Sequence, residues 1–341
     1  MQKLFLCGLC ILMMGTAYAN NKILRVAAYG GEIPNSLIKK FEAKTGIKVN
    51  FTNFESNENL LIKLESSHQK LYDVITPSNY YIPRLEHFKL IQALDKRKLQ
   101  NLNDIDPFFM PQSQAPLFGV PFVWGATIIF YNDRYIQKPP LHWGDFWNTH
   151  FKDQLLLIDD TREVFSMAML SLGLNPNDGD ANHIKSAYKA LLKLSSNIKL
   201  FSSDALTLII TDEDAIVGMA WNGDIFKVRT ENTHVQYIYP SEGYVLWEEC
   251  FAIPTNAEHI NEAYQFINFM TEAKNSAEMT RVMHFPVTNL KAKQYLPKAL
   301  REDKLLFPSK ETLSKGILQL DPLEENIRLY NSYWELFKIS L

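Results

Sequence analysis

The stretch ILRVAAYGGEIPNSLIKKFEAKTGIKVNF, residues 23–51, changes its hydrophobic rhythm twice. Residues 23–29 form an apolar run that stops at Gly30-Gly31, the mark of a strand entering a turn. From Ile33 to Gly46 the spacing is helical, with Leu37, Ile38 and Phe41 on one face and Gly46 as the stop. Residues 47–51 then alternate as a half-buried strand does. A helical stretch (57–67) and a short strand (72–78) follow. Strand, helix, strand, helix, strand predicts an α/β layer with parallel strands.

The same grammar returns further along. QLLLID (154–159) reads as a strand and REVFSMAMLSLG (162–173) as a helix. AIVGMA (215–220) is a strand ending at Trp221-Asn222-Gly223, and DIFKVR (224–229) is helical. VQYIYP (235–240) and LWEECFAIP (246–254) are strands. FVWGATIIFYN (122–132) is a longer strand, able to leave one unit for the other. Residues 256–274 predict one amphipathic helix, with Ala263, Phe266, Ile267 and Met270 inward. A last helix shows Leu323, Ile327, Tyr330, Trp334 and Phe337. With 341 residues the chain exceeds what one core usually holds, about 250–300 residues, so two lobes are expected.

The first twenty residues have a different character. One lysine, an apolar stretch from Leu4 to Met14 and the sequence Ala17-Tyr18-Ala19 predict a secretory leader cleaved after residue 19. The stretch is short of the roughly 20 apolar residues of a membrane span. Cys250 is then the single remaining cysteine, so stability is expected from packing rather than from an internal disulfide. The expected location is periplasmic. A formal charge of -3 supplies no basic field for nucleic acid.

Motifs of the common enzyme classes are missing. The sequence holds no GxSxG, HExxH, Walker loop or strand-borne GxGxxG, and its eight histidines are scattered. Cys250, within a strand, reads as packing. Asp160 and Glu163 are one helical turn apart, an origin too close to flank a glycosidic bond. Catalysis has no support, and no cofactor is expected.

Acids and aromatics at turn positions remain. Asp160 and Glu163 stand where a strand becomes a helix, and capping alone explains such a pair. The adjacent acids of Trp247-Glu248-Glu249 suggest an edge or a bulge, because only one of them can face outward. Tyr29, Ser78, Asp160 and Trp221 all fall at carboxyl ends of strands, where open α/β sheets bind ligands. Carboxylates hold ammonium groups, and aromatic faces add cation–π attraction of about 0.5–2 kcal/mol while covering methylenes. The combination suits a flexible alkyl amine. The adjacent Tyr80-Tyr81 keeps ferric iron open as a cargo.

The blocks LIKKFEAKTGIKV, FESNENLLIKL, YDVITPSNYYI, PFVWGAT, LLLIDDTREVF, MAWNG, LWEECFAIP and AYQFINFM stand in the order and spacing of spermidine/putrescine-binding proteins of polyamine ABC transporters. The chain resembles that family over essentially all of its length beyond the leader. The resemblance implies a two-lobed type II periplasmic binding protein fold, each lobe a mixed sheet flanked by helices, with a ligand cleft at the hinge. It implies lobes of residues 20–125 with 248–293, and 126–247 with 294–341. Its implied partners are a polyamine and an inner-membrane ABC permease, with the protein acting as a monomer. A different cationic cargo, ferric iron or a thiamine-like nutrient, is the alternative.

Carried over by position, the resemblance assigns Asp160 and Glu163 to a terminal ammonium and Glu249 to a second nitrogen, where an Asp is usual. Trp221 and Trp247 would sandwich the methylenes. Ser78 and Tyr80 match contacts of the first lobe, Gln319 a polar contact, and Phe285 replaces a Tyr. The departure is at Tyr29-Gly30-Gly31-Glu32, where the family has Trp-Thr-x-Tyr. A hydroxyl is lost there, and Glu32 stands in place of a tyrosine.

Overall fold

The computed structural model describes residues 22–66, 70–110, 116–322 and 324–341. The expected leader and Leu323 lie outside the described residues. The strands are β1 (Ile23–Tyr29), β2 (Lys48–Phe54), β3 (Val74–Ile75), β4 (Val120–Asn132), β5 (Leu155–Leu157), β6 (Ile198–Phe201), β7 (Val217–Trp221), β8 (Val235–Ile238), β9 (Tyr244–Phe251) and β10 (Gly316–Leu318). Among the described residues no helix is long and apolar enough to cross a membrane.

In the first sheet β1 lies between β2 and β3, all parallel, with Val26 opposite both Phe51 and Val74. The helix between β1 and β2 runs Asn35–Thr45 and buries Leu37, Ile38 and Phe41; Gly46 closes it in the left-handed conformation (φ 73°), its N–H returning to Glu42 O. Beyond β3 the chain stays extended against the end of β9, where Ile75 bridges Ala252 and Ser78 bridges Glu249, both antiparallel. The layer is therefore mixed.

The second sheet has the order β10-β9-β4-β7-β5-β6, with β8 also paired to β4. Parallel pairs join β5 to β6 and β7, and β10 to β9, while β4 runs antiparallel to β7, β8 and β9. Strands β4 and β9 are paired from Val120–Phe251 to Ala126–Leu246 and belong to both lobes. Along β4 the core changes at one step. Phe122 and Val123 pack with Leu24, Phe41 and Phe266, whereas Trp124 and Ile128 pack with Leu156, Phe165 and Phe337. Along β9, Leu246 belongs to the second core and Phe251 to the first. Strands β4 and β9 thus each run from one core to the other, and the chain crosses a third time between Leu296 in the first core and Leu305 in the second.

Two expectations need correction. The helix expected over 256–274 is two helices, Ile260–Thr271 and Ala273–Met283, separated by an extended Glu272. Asn275 Nδ2 and Ser276 Oγ donate to the carbonyls of Phe269 and Met270, replacing bonds that a continued helix would have made. The acids of Trp247-Glu248-Glu249 mark neither an edge nor a bulge in their own strand. β9 is flanked by β4 and β10, both acids are buried, and the register shift sits on β4 between Pro121 and Val123.

Candidate functional site

Asp160 ends the extended segment after β5 and is the N-cap of the helix Thr161–Ser171, its Oδ1 accepting the Glu163 N–H at 2.9 Å. The cap explains why the helix begins there, and it fixes both carboxylates at the helix's positive end. Asp160 remains half-buried, while Glu163 is buried with Oε2 unpaired. Burial, reinforced by the charge of Asp160, raises the Glu163 carboxyl to about 8. Thr127 Oγ1 and Trp221 Nε1 lie alongside it and favour its ionised form, yet neither makes a hydrogen bond.

The first lobe supplies the opposite wall. The segment after β3 presents Thr76 and Ser78 on one face, because side chains two residues apart on an extended chain share a side. Thr76 Oγ1 donates to Glu32 Oε2 at 2.5 Å, and Ser78 Oγ donates to Glu249 Oε1 at 3.0 Å. Glu32 Oε2 also accepts the Tyr29 N–H at 3.2 Å, inside the turn whose Glu32 N–H returns to Tyr29 O. The second oxygens, Glu32 Oε1 and Glu249 Oε2, are buried and unpaired. Burial pushes Glu32 to about 8 and Glu249 well above the usual carboxylate range, the latter helped by the charges of Glu32 and Glu248.

Asn57, at the start of the next helix, braces this wall. Its Nδ2 donates to Ser78 Oγ (3.0 Å) and Tyr80 Oη (3.1 Å), and its Oδ1 accepts the Ser78 N–H at 3.1 Å. Tyr80 spans the two halves of the cleft: burial raises its phenol, and the carboxylates of Asp160 and Glu249 raise it further. Tyr29 has Glu249, Tyr80 and Glu32 as charged or phenolic neighbours, and its ring packs on Phe54 at 4.4 Å. Tyr81 turns away, buried, with the Arg84 guanidinium 5.1 Å from its ring. Tyr80 and Tyr81 therefore do not converge on one ion. Among the described residues no group of three or more His, Cys, Asp or Glu is placed to hold a metal.

Aromatic rings join the walls. Trp221, at the end of β7, and Trp247, in β9, meet edge to face with centroids 6.3 Å apart. Phe285 continues the row 5.1 Å from Trp247. Both indole N–H groups are buried without acceptors. Two glycines make room for the rings. A Cβ at Gly125, opposite Trp247 on β4, would stand 2.1 Å from Trp247 Cζ2. A Cβ at Gly223 would stand 2.4 Å from Phe285 Cε1. Gln319 follows β10, its N–H on Leu246 O, which sets it alongside Trp247; it is buried and its Nε2 is unpaired.

The eleven residues singled out in the sequence thus gather into one interlobe cleft. Sequence reasoning missed Asn57, Thr76, Thr127, Gly125 and Gly223, which hold or admit the others. Only Gly125 left a signal, since Gly inside a strand marks close approach, whereas Gly223 lies in the first turn of the helix Asn222–Glu231. Glu248 was seen but not placed. It lies on the opposite face of β9 from Glu249, buried, with neither oxygen paired, and burial raises it to about 8.

Comparison with known proteins bears on this cleft. Residues 36–308 match the model of the bacterial extracellular solute-binding protein family. The spermidine/putrescine-binding periplasmic protein of Salmonella typhimurium is 34% identical, over 99% of this chain and 98% of that protein. The putrescine-binding periplasmic protein SpuD of Pseudomonas aeruginosa is 28% identical, over 87% of this chain and 86% of that protein. Among solved structures, a putative spermidine/putrescine ABC transporter protein from Listeria monocytogenes superposes with a TM-score of 0.87 at 31% identity. That match covers 94% of this chain and all of the other.

Proposed function

This chain belongs to the bacterial extracellular solute-binding proteins, and we propose that it captures a polyamine, spermidine or putrescine, and hands it to an ABC permease in the inner membrane. The observation that carries the reading is electrostatic. Glu32, Glu163 and Glu249 are buried, each keeps an oxygen with no partner, and none forms an ion pair among the described residues. Buried carboxylates normally find a cation or a set of donors. Here nearby donors reach one oxygen of Glu32 and one of Glu249. A ligand carrying ammonium groups completes them, and the Trp221–Trp247–Phe285 row covers its methylenes.

In this account the lobes are residues 20–125 with 248–293, and 126–247 with 294–341. They close over the amine by turning about β4 and β9. The protein works in the periplasm as a monomer, exported by a leader over residues 1–19. It binds and releases its cargo and catalyses no reaction. Calorimetric titration with putrescine and spermidine tests the reading: one amine bound per chain supports it, and no binding of either overturns it.

A further inference from the structure

Tyr80 and Gln319 stand on opposite walls of the cleft, and the chain leads from each to a charged side chain at the rim. Arg84 follows Tyr80 in the helix Ile82–His87, and Asp321 lies two residues beyond Gln319. That helix buries Leu85 with Ala27 and Ile75 of the first sheet, whereas Asp321 follows β10, whose Ile317 and Leu318 pack against the second core. Across this boundary the Arg84 guanidinium donates to Asp321 Oδ1 at 2.8 Å and to the Pro322 carbonyl at 3.3 Å, with a Glu324 oxygen 4.0 Å away. Other ion pairs, such as Arg25–Asp73 and Lys338–Asp159, stay within one lobe. The side chains of Arg84 and Asp321 are only 10% and 20% exposed, which sets this contact apart from an ordinary surface pair.

The second lobe holds the acceptor in place by its own bonds. Asn177 Nδ2 donates to Leu318 O at 2.8 Å, and its Oδ1 accepts the Leu320 N–H at 2.9 Å. Arg162, between Asp160 and Glu163 in the chain, donates to Leu320 O at 3.4 Å and adds its charge beside Asp321. Little ordering is left for Arg84 to impose when it arrives. Burial nevertheless raises the Asp321 carboxyl against the pull of Arg84 and Arg162, so desolvation offsets part of the attraction. A pair balanced in this way adds to a closure that ligand drives, without shutting the lobes by itself.

We propose that Arg84 and Asp321 form a latch across the rim of the cleft, which holds the closed lobes together and sets how fast the bound amine leaves. The proposal rests on the polyamine reading and the two-lobe division above, and it adds two positioning residues that do not touch the amine. Opening of the lobes parts the two side chains and returns both charges to water, so the latch stabilises the closed state alone. The amine meets the open lobes before the latch forms. Losing either partner therefore speeds dissociation and leaves association almost unchanged.

The test is stopped-flow fluorescence of the cleft tryptophans with putrescine and spermidine, on the parent, Arg84→Gln, Asp321→Asn, the double variant and Arg84→Lys. Each single neutral variant is expected to release the amine about threefold to tenfold faster, with association within about twofold of the parent. The double variant should release it no faster than the faster single one, because both remove the same contact. Arg84→Lys, which keeps the charge, should recover part of the loss. The ligand-free variants should melt with the parent. Dissociation within about twofold of the parent in both single variants overturns the inference. Additive effects in the double variant also overturn it, since the two charges would then act apart. A lower melting temperature in both ligand-free variants overturns it as well, by placing the pair in the fold rather than in closure. In these three cases the parent still binds amine, and the polyamine reading stands. A parent protein that binds neither amine ends that reading and this inference together.

Discussion

Ser78 and Glu249 face each other across an antiparallel bridge, and the serine hydroxyl donates to the glutamate at 3.0 Å. Ser78 comes from the end of the first lobe's parallel layer, and Glu249 from a strand whose other end lies in the second lobe's core. A cross-strand pair at the junction of two sheets thus holds a buried carboxylate between the two cores. Anything that neutralises Glu249 acts on the joint between the lobes.

Asp160 has two duties that substitution can separate. Asparagine caps a helix as well as aspartate, so Asp160→Asn should keep the Thr161–Ser171 helix and stability within about 0.5 kcal/mol, while polyamine affinity falls by about tenfold or more. Asp160→Ala should lose both, with about 0.5–2 kcal/mol of stability gone. Denaturant unfolding and calorimetry on the two variants check this. Equal affinity of Asp160→Asn and the parent would remove Asp160 from the site.

Gly125→Ala should displace the Trp247 ring, since the new methyl would stand 2.1 Å from Cζ2. Overpacking of this kind costs about 1–3 kcal/mol. Indole fluorescence should change, and affinity should fall with little change in the far-ultraviolet circular dichroism. Unaltered fluorescence and affinity would show that the aromatic row does not depend on this close approach.

The empty protein should lose stability as pH rises through neutrality. Burial raises Glu32, Glu163 and Glu248 from 4.5 to about 8 in the fold. Between these values the native state holds protons that the unfolded chain has released, so stability falls with pH and levels off above 8. The slope is about 1.4 kcal/mol per pH unit for each group that keeps its proton. Glu249 faces Glu32 and Asp160 faces Glu163, and these like charges push in the same direction. An ammonium ligand reverses the preference, so binding at pH 7 should release protons. Titration in two buffers of different ionisation enthalpy measures that release. Proton uptake would contradict the assignment.

Glu248 lies outside the cleft, and replacing it should help the fold. Both its oxygens are buried and unpaired on the face of β9 turned away from Glu249. Glu248→Met should raise stability by about 1–3 kcal/mol at pH 8 and leave affinity within about twofold. Loss of binding in that variant would show that Glu248 acts on the ligand through the hinge.

The fold was largely legible because its signals are local. The rhythm of residues 23–51 and the stop at Gly46 are properties of neighbouring residues, and they survive in the structure unchanged. The helix expected over 256–274 failed for the opposite reason. Its break depends on Asn275 and Ser276 reaching back to particular carbonyls, which no periodicity reports. The acids and tryptophans of the cleft were legible as residue types at strand ends, and the family resemblance supplied their grouping. Thr76, Asn57 and Thr127 were not, because a hydroxyl or amide has meaning only through the partner it meets. Glu248 and Glu249 show the limit most sharply. Adjacent and identical in type, they take opposite faces of one strand, and only the pairing of β9 with β4 and with the Thr76–Ser78 segment decides which of them meets Ser78.

Titration calorimetry of the purified protein with spermidine and putrescine at pH 8, run beside Glu249→Gln, asks whether these buried carboxylates hold an amine. One amine should bind per chain with release of protons, and the variant should bind at least about tenfold more weakly. Silence with both amines, or equal affinity in the parent and Glu249→Gln, would contradict it.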